Sequence, residues 1–237
     1  YLNCSLVLSE VCVINISIDG PSGSGKSFLA REIAKRKGYI YVDTGALYRA
    51  IGLYAKRNGI EPSDEKKVCD MLKNISVRLE YSDDGRQRVI LNSEDVSEEI
   101  RKPEISMYAS TVSAIPKVRD FLLELQRSIA RENNVVMDGR DIGTVILPDA
   151  KVKIFLFAND EVRAKRRYLE LKEKGIETTV EEVLSDMKTR DLNDSTRKTA
   201  PAVPAKDAYM LDNSDLDREG TVKKALSLID ERLGENK

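Results

Sequence analysis

The chain has 237 residues, with 39 Lys and Arg against 40 Asp and Glu, and it contains no His. The missing imidazole excludes a Ser-His-Asp or Cys-His mechanism and a His-ligated zinc site, and the net charge of −1 argues against bulk nucleic-acid binding. No apolar run approaches the roughly 20 residues that span a bilayer, and the three Cys lack CxxC spacing, so we expect a cytoplasmic protein without a membrane partner.

The first part of the chain alternates short apolar strands with helices. A β-branched run predicts a buried strand, a Gly-rich loop follows it, and the next helix ends at Gly38. This alternation is typical of a parallel sheet with helices on both faces. The predicted strands cover residues 13–18 and 39–42, and the predicted helices cover residues 28–37 and 46–57. Residues 1–12 are left unassigned as an N-terminal extension.

The alternation is interrupted within residues 62–106. Residues 76–81 alternate polar and apolar side chains with a period of two, and residues 88–91 predict the returning strand of a hairpin. Between them, residues 82–85 (SDDG) have turn composition. Because a hairpin does not belong in the core of a parallel sheet, we interpret residues 62–106 as a small inserted lobe of hairpin and helix.

The second part of the chain returns to strands and helices. Asn159 is predicted to cap one helix, and Thr179 and Glu182 have the spacing of a capping box that begins the next. The apolar strand before Asp138 ends at that carboxylate. Predicted strands cover residues 135–137, 152–158 and 207–211, and predicted helices cover residues 116–132, 160–174 and 220–233, with a further helix from residue 179 towards residue 190.

One loop carries a specific chemical signature. It matches G-x-x-x-x-G-K-[ST] and lies between a predicted strand and a predicted helix. Glycines let backbone N–H groups turn inward around phosphate oxygens, and the following helix directs its positive end at them. The sequence therefore predicts that ATP phosphates bind to Gly20, Pro21, Ser22, Gly23, Ser24, Gly25, Lys26 and Ser27.

A metal position accompanies this loop. Lys26 is expected to reach the β- and γ-phosphates, and the Ser27 hydroxyl is expected to coordinate Mg²⁺. Asp138 lies at the end of an apolar strand, which is where a carboxylate near the Mg²⁺ is expected beside such a loop. We therefore predict Mg²⁺ with ATP as the phosphoryl donor, held by Ser27 and Asp138.

Other motifs narrow the class of nucleotide protein. The N-K-x-D guanine reader of switch GTPases and the L-S-G-G-Q signature of transporter ATPases do not occur. Arginine, whose fork of donors matches phosphate geometry, is instead placed near several motifs. These positions favour an acceptor that itself carries phosphate. They are Arg49, Arg119, Arg140, Arg190 and Arg197.

The absence of His is compatible with such an acceptor. The attacking oxygen of a nucleoside monophosphate is already anionic near neutral pH, so no general base is required. A kinase that acts on a neutral hydroxyl would more often use a carboxylate base. Asp43 or Asp141 could serve in that role, so the residues alone leave open a kinase that acts on a neutral hydroxyl.

Several short motifs follow one another along most of the chain. They are Ile18-Asp19 before the phosphate loop, Asp43-Thr44-Gly45-Ala46-Leu47-Tyr48-Arg49, Asp138-Gly139-Arg140-Asp141-Ile142-Gly143-Thr144, Pro148-Asp149-Ala150, Arg190-Asp191 with Asp194 and Arg197, Ala200-Pro201 and Asp207-Ala208. Together they resemble the bacterial cytidylate kinases, a branch of the nucleoside monophosphate kinases. Phe28 departs from the family pattern, which usually has a small Thr there.

The resemblance implies an α/β fold, with a P-loop parallel β-sheet that has helices on both faces, an inserted hairpin and helix lobe that binds the monophosphate, and a helical lid. Residues 13–237 would form one P-loop kinase domain, with residues 160–198 as the lid region. The implied reaction moves the γ-phosphoryl group of ATP to CMP or dCMP. We expect a monomer. The open alternatives are a kinase of another monophosphate, such as UMP or AMP, and a switch that binds ATP without turnover.

The resemblance also implies roles for individual residues. Catalytic groups would be Lys26, Arg140, Arg190 and Arg197. Thr44 and Asp194 would hold sugar hydroxyls, and cytosine would be bound by Ser110, Arg119 and Asp141. The CMP-binding set as a whole is Thr44, Arg49, Ser110, Arg119, Arg140, Asp141, Arg190, Asp194 and Arg197.

Overall fold

The computed structural model describes residues 13–82 and 85–235. The predicted extension over residues 1–12 and the two turn residues Asp83 and Asp84 lie outside these ranges. The strands are β1 Asn15–Asp19, β2 Ile40–Asp43, β3 Val77–Tyr81, β4 Gln87–Leu91, β5 Glu94–Asp95, β6 Val135–Gly139, β7 Val152–Phe157 and β8 Tyr209–Asp212. The helices are α1 Lys26–Lys37, α2 Thr44–Arg57, α3 Glu65–Met71, α4 Pro103–Val112, α5 Pro116–Glu132, α6 Asp160–Glu173, α7 Val180–Thr196 and α8 Arg218–Leu233.

The five strands β1, β2, β6, β7 and β8 form one parallel sheet in the order β2-β6-β1-β7-β8. β1 lies at the centre, where the register pairs Asp19 with Gly139 of β6 and with Phe155 of β7. The chain leaves β1 towards β2 on one side and later returns to β7 on the other. In open α/β sheets ligands bind beyond the carboxyl ends of the strands at such a point.

Helices cover both faces of this sheet, as the alternation of strands and helices predicts. In β6, Val136 packs into a buried cluster with α1 and α8, whereas Val135 and Met137 pack into a cluster with Ala130 of α5. Successive side chains of a strand point to opposite faces, so one strand contributes to both clusters. The predicted α/β architecture is confirmed.

The three remaining strands form a separate antiparallel sheet in the order β3-β4-β5. The predicted hairpin over residues 76–91 is therefore confirmed, with the short β5 added. Its inner residues Val89 and Leu91 share a buried cluster with Leu47 and Ile51 of α2 and with Ile105 of α4. This packing joins the small sheet to the two helices that carry Arg49 and Ser110.

Most element boundaries follow the sequence prediction, and α5 covers residues 116–132 as predicted. Thr179 and Glu182 make both bonds of the capping box. Asn159 does occupy the position before α6, but the predicted side-chain cap is wrong, because that side chain makes no capping hydrogen bond. The helix α4 was not predicted, since its β-branched and polar residues are weak helix formers and its packing on α2 stabilises it. In the described part of the chain, no helix is long and apolar enough to cross a membrane.

Candidate active site

The loop over residues 20–27 connects β1 to α1 at the carboxyl edge of the sheet. Gly20 has φ of 147°, and a Cβ on it would lie 2.0 Å from the Leu156 carbonyl oxygen, so only glycine fits beside β7. Gly25, with φ of 92°, precedes the first turn of α1. The backbone N–H groups of that first turn have no partner inside the helix, which makes this end an anion-binding position.

Lys26 is 6% exposed and lies against the loop that contains it. Its Nζ donates to the Pro21 carbonyl oxygen at 2.6 Å and to Ser24 Oγ at 3.4 Å. Burial, followed by the nearby Arg140, lowers the pKa of Lys26 well below its ordinary value. A bound phosphate would place negative charge beside the Lys26 ammonium group and so stabilise its charged form.

Asp138 near the end of β6 faces the first turn of α1. Ser27 Oγ donates to Asp138 Oδ2 at 2.8 Å, and the Tyr41 hydroxyl donates to Asp138 Oδ1 at 2.9 Å. Burial and the neighbouring Asp43 raise the pKa of Asp138 to about 6. The structure therefore brings together the two residues predicted to hold Mg²⁺, and their hydroxyl and carboxylate oxygens are donors that Mg²⁺ prefers. Among the residues that the structure describes, no group of three or more acidic or Cys side chains is placed to hold a metal.

Asp194 of α7 joins several of the predicted acceptor residues. Its carboxylate accepts from Arg140 Nε at 3.0 Å and from Ser110 Oγ at 3.4 Å. Arg190 and Arg197 each approach it to 4.0 Å. Burial alone would raise the pKa of Asp194, but these three guanidinium groups hold it below its ordinary value. One carboxylate therefore keeps three arginines together.

Asp141 forms a second junction beside the first. Its Oδ2 accepts from Arg119, and its Oδ1 accepts from Arg197 Nη2 at 3.4 Å. Arg119 also donates to the Ser113 carbonyl oxygen at 3.1 Å, and its guanidinium lies 5.3 Å from the centre of the Tyr48 ring. Arg119 and Asp141 are both buried. Two of the three predicted cytosine-binding residues, Arg119 and Asp141, are thus paired with each other, whereas Ser110 bonds to Asp194.

The remaining predicted residues lie in α2. Thr44 Oγ1 donates to the Asp138 carbonyl oxygen at 2.8 Å, and Arg49 Nη2 donates to Asp43 Oδ2 at 2.7 Å. Asp43 Oδ1 also accepts the N–H of Ala46 and so caps the helix. The parallel pairing of β2 with β6 places this helix start beside Asp138.

The predicted site residues include more cationic than acidic side chains. The cationic ones are Lys26, Arg49, Arg119, Arg140, Arg190 and Arg197, and the acidic ones are Asp138, Asp141 and Asp194. Asp43, Asp19 and Asp191 add further carboxylates around them. The Nε atoms of Arg49 and Arg190 are buried and have no hydrogen-bond partner among the described residues. Burial, and then Arg140, lower the pKa of Arg190 to about 10. These unused guanidinium donors suit an anion with several oxygen atoms, such as a phosphate group.

Sequence reasoning did not predict the contacts of four residues around this site. The Tyr41 hydroxyl on Asp138 depends on the strand order, which the sequence does not give. The bond from Arg49 to Asp43 lies within the start of α2, six residues apart, and was missed although it is local. Asp191 and Arg163 both bond to Ser22 of the loop. The adjacency of Arg190 and Asp191 was a usable signal, but it gave no direction for the Asp191 side chain.

The sequence of this chain is similar to known proteins over most of its length. A family model described as cytidylate kinase matches residues 16–231. A cytidylate kinase of Caldicellulosiruptor bescii is 49% identical over 216 residues, which cover 91% of this chain and 95% of the relative. A cytidylate kinase of Caldanaerobacter subterraneus subsp. tengcongensis is 50% identical over 216 residues, which cover 91% of this chain and 94% of the relative.

A solved structure shares the fold. It is described as an uncharacterized protein from Eubacterium ventriosum and superposes with a TM-score of 0.50 at 12% identity, covering 92% of this chain and 98% of that chain. At this identity the likeness concerns the fold alone. The family model and the two relatives match about nine-tenths of the sequence, and the residues matched by the family model include every residue of the described site. On their agreement, this chain belongs to the cytidylate kinase family.

Proposed function

We propose that this chain transfers the γ-phosphoryl group of ATP to CMP or dCMP, giving ADP and CDP or dCDP. The observation that carries the proposal is the group of arginines beside the phosphate loop, above all Arg49 and Arg190, whose buried Nε atoms make no hydrogen bond to any described residue. A site that binds only ATP needs the loop and its Lys. A second set of guanidinium groups fits a second phosphate.

The donor side is assigned to residues 20–27. The backbone N–H groups of the loop and of the first turn of α1 would bind the ATP phosphates, and Lys26 would leave the Pro21 carbonyl to contact them. Ser27 and Asp138 would hold Mg²⁺, which would supply charge neutralisation at the phosphates when bound. The hydrogen bond from Tyr41 orients the Asp138 carboxylate for this role.

The acceptor side is assigned to the arginines. Arg49, Arg140, Arg190 and Arg197 would bind the monophosphate and the transferring phosphoryl group in bidentate contacts. Because the acceptor oxygen is already anionic, these residues need only place it in line and offset its charge. No side chain then has to act as a general base, which agrees with a chain that contains no His.

Recognition of the nucleoside is assigned to residues around Asp141 and Asp194. Ser110, Arg119 and Asp141 would present donors and acceptors to the edge of cytosine, while Thr44 and Asp194 would bind the sugar hydroxyls. Residues 62–106 are proposed as the lobe that encloses the monophosphate, and residues 160–198 as the lid over ATP. Closure of such a lid would exclude water from the reacting phosphoryl group.

We further propose that the enzyme acts as a monomer in the cytoplasm. Sedimentation at working concentration tests the oligomeric state. A stable dimer, or a specific activity that rises with protein concentration, would contradict the proposal of a monomer.

The test of the reaction is ADP release from ATP and Mg²⁺ with CMP, dCMP, UMP, AMP and GMP offered separately. We expect fast turnover with CMP and dCMP and slow turnover with the other three. Fast turnover with UMP or AMP would keep the loop assignment and overturn the roles of Ser110, Arg119 and Asp141. No turnover with any acceptor would indicate a protein that binds ATP without phosphoryl transfer.

A further inference from the structure

The phosphate loop is bonded to α6 and α7 through two side chains that the proposed reaction does not use. The Ser22 N–H donates to Asp191 Oδ1 at 2.8 Å, and Arg163 Nη1 donates to the Ser22 carbonyl oxygen at 2.6 Å. The same Nη1 donates to Asp191 Oδ2 at 2.5 Å. Both backbone groups of one loop residue are therefore held by two different helices.

Packing of the next loop residue supports this attachment independently. Gly23 has φ of 70°, and a Cβ on it would lie 2.8 Å from Met187 Cε of α7 and 3.3 Å from the Arg163 carbonyl oxygen of α6. The loop therefore touches both helices by shape as well as by hydrogen bonds. A larger residue there would be strained by the positive φ and would displace the end of the Met187 side chain.

Arg163 is buried but fully compensated. Its side chain is 6% exposed, Nε donates to the Ala158 carbonyl oxygen at 3.1 Å, and Nη2 donates to Asp160 Oδ1 at 2.5 Å. A buried guanidinium with every group satisfied has one favoured position. Asp191, by contrast, is 19% exposed and lines a cavity of about 360 Å³ that Pro21 and Arg140 also line. The contact thus lies at the edge of the candidate active site.

We propose that Asp191 and Arg163 are positioning residues that fix the phosphate loop relative to α7. Asp191 directly follows Arg190 and lies one turn before Asp194, so its bond to Ser22 sets how the acceptor residues of α7 face the loop. Phosphoryl transfer depends on this alignment, because small displacements of reacting groups cost large factors in rate. The inference rests on the proposed function, since it takes residues 20–27 as the loop for ATP.

The test compares Asp191→Ala and Asp191→Asn with Asp186→Ala, a change at an exposed carboxylate of the same helix. Isothermal titration measures the dissociation constants of ADP with Mg²⁺ and of CMP separately, and turnover is measured beside them. For Asp191→Ala we expect ADP to bind about tenfold more weakly or worse, as for loss of a charge-assisted hydrogen bond. CMP should bind within about twofold of wild type, because Asp194 keeps its bonds to Arg140 and Ser110.

Asp191→Asn guards against failure of the alanine variant to fold. Its amide oxygen can still accept the Ser22 N–H, and Arg163 keeps Asp160, so we expect a smaller loss of ADP affinity than in Asp191→Ala. Unchanged ADP affinity in both variants would overturn the proposal, as would equal weakening of ADP and CMP, which indicates general loosening. If the wild-type protein itself bound no ADP, the proposed function would fail and this inference with it, a result distinct from either of these.

Discussion

The phosphate loop takes its eight residues from one unbroken stretch of chain, whereas the nine residues assigned to the acceptor come from five segments. In the loop, backbone N–H groups at the start of α1 are the principal donors, and Lys26 is the one charged side chain. On the acceptor side, the donors and acceptors are side chains that already bond to one another, as Arg119 does to Asp141. A backbone-built site depends on its glycines and on Lys26, and is less sensitive to its other side chains. A site of paired side chains is sensitive to each one.

The largest effect is expected at the one charged side chain of the loop. Lys26→Ala should lower kcat by about a thousandfold, because it removes a charge directed at the transferring phosphoryl group. Lys35→Ala, at an exposed position of α1, is the matched control and should have wild-type turnover. Steady-state ADP release measures both. A Lys26→Ala enzyme that works near the wild-type rate would contradict the loop assignment.

Asp141→Ala tests the acceptor side. It removes a carboxylate proposed to bind cytosine, together with its bonds to Arg119 and Arg197. A hydrogen bond to a charged group contributes about 1.5–3 kcal/mol, so KM for CMP should rise about a hundredfold. KM for ATP should stay within about twofold of wild type, because the loop is built separately. The two Michaelis constants are compared with those of Asp120→Ala, an exposed position of α5. Equal changes in the KM for CMP and the KM for ATP would contradict the claim that the loop and the acceptor residues act separately.

Arg190→Lys separates charge from geometry. Lysine keeps the positive charge but loses the planar fork, so turnover should still fall about tenfold or more, as for the loss of one charge-assisted hydrogen bond. Arg167→Lys on α6, where the arginine pairs with Glu170 on the surface, is the control and should be silent. Full activity of Arg190→Lys would show that charge alone matters at this position.

Asp19 joins the two sides and gives a pH dependence. It ends β1 before the loop, and its carboxylate accepts the N–H groups of Ile142 and Gly143 beside Asp141. Burial raises the pKa of Asp19 from 3.8 to about 6, so the folded state favours the proton and this stabilisation is lost as the pH rises from 4 through 6.

Asp19→Asn cannot titrate, so its free energy of unfolding should lack this contribution. Relative to the variant, the wild-type protein should gain about 2 kcal/mol between pH 7 and pH 4. Urea unfolding at the two pH values measures the difference. A gap between the two proteins that does not change with pH would show that Asp19 titrates as it does in the unfolded chain.

The smallest effect is expected at the hydrogen bond that orients Asp138. Tyr41→Phe removes the hydroxyl on Oδ1 and leaves Ser27 on Oδ2, so half-maximal activity should need several-fold more Mg²⁺ while the rate at saturating Mg²⁺ changes little. Binding of Mn²⁺ with ADP, followed by electron paramagnetic resonance, gives a second readout. Tyr39→Phe is the control just before β2. The same Mg²⁺ dependence in Tyr41→Phe and Tyr39→Phe would show that the Tyr41 hydroxyl does not contribute to metal binding.

The same contrast explains how much of the molecule could be predicted from its sequence. The loop is local, so its residues, its strand and its helix can be recognised from spacing alone, and the capping box at Thr179 was predicted for the same reason. The acceptor residues could be named only through resemblance to a family. Their roles remain predictions, although the structure brings Ser110, Arg140, Arg190 and Arg197 around Asp194.

What could not be predicted depends on contacts between distant parts of the chain. The helix α4 has weak local propensity and is stabilised by packing on α2, so its residues gave no clear helical signal. The π-helical turn over Ile142–Ile146 is held by Asp19 and by Arg127, neither of which is near it in sequence. Likewise the bond between Asp191 and Ser22 spans 169 residues.

The most direct test of the central claim follows the phosphoryl group itself. ATP labelled with ³²P at the γ-position is incubated with the protein, Mg²⁺ and CMP, and the products are separated. We predict that the label appears in CDP, with one labelled CDP for each ADP formed, and that Lys26→Ala slows this transfer about a thousandfold. Label released as inorganic phosphate, at a rate independent of CMP, would contradict the account.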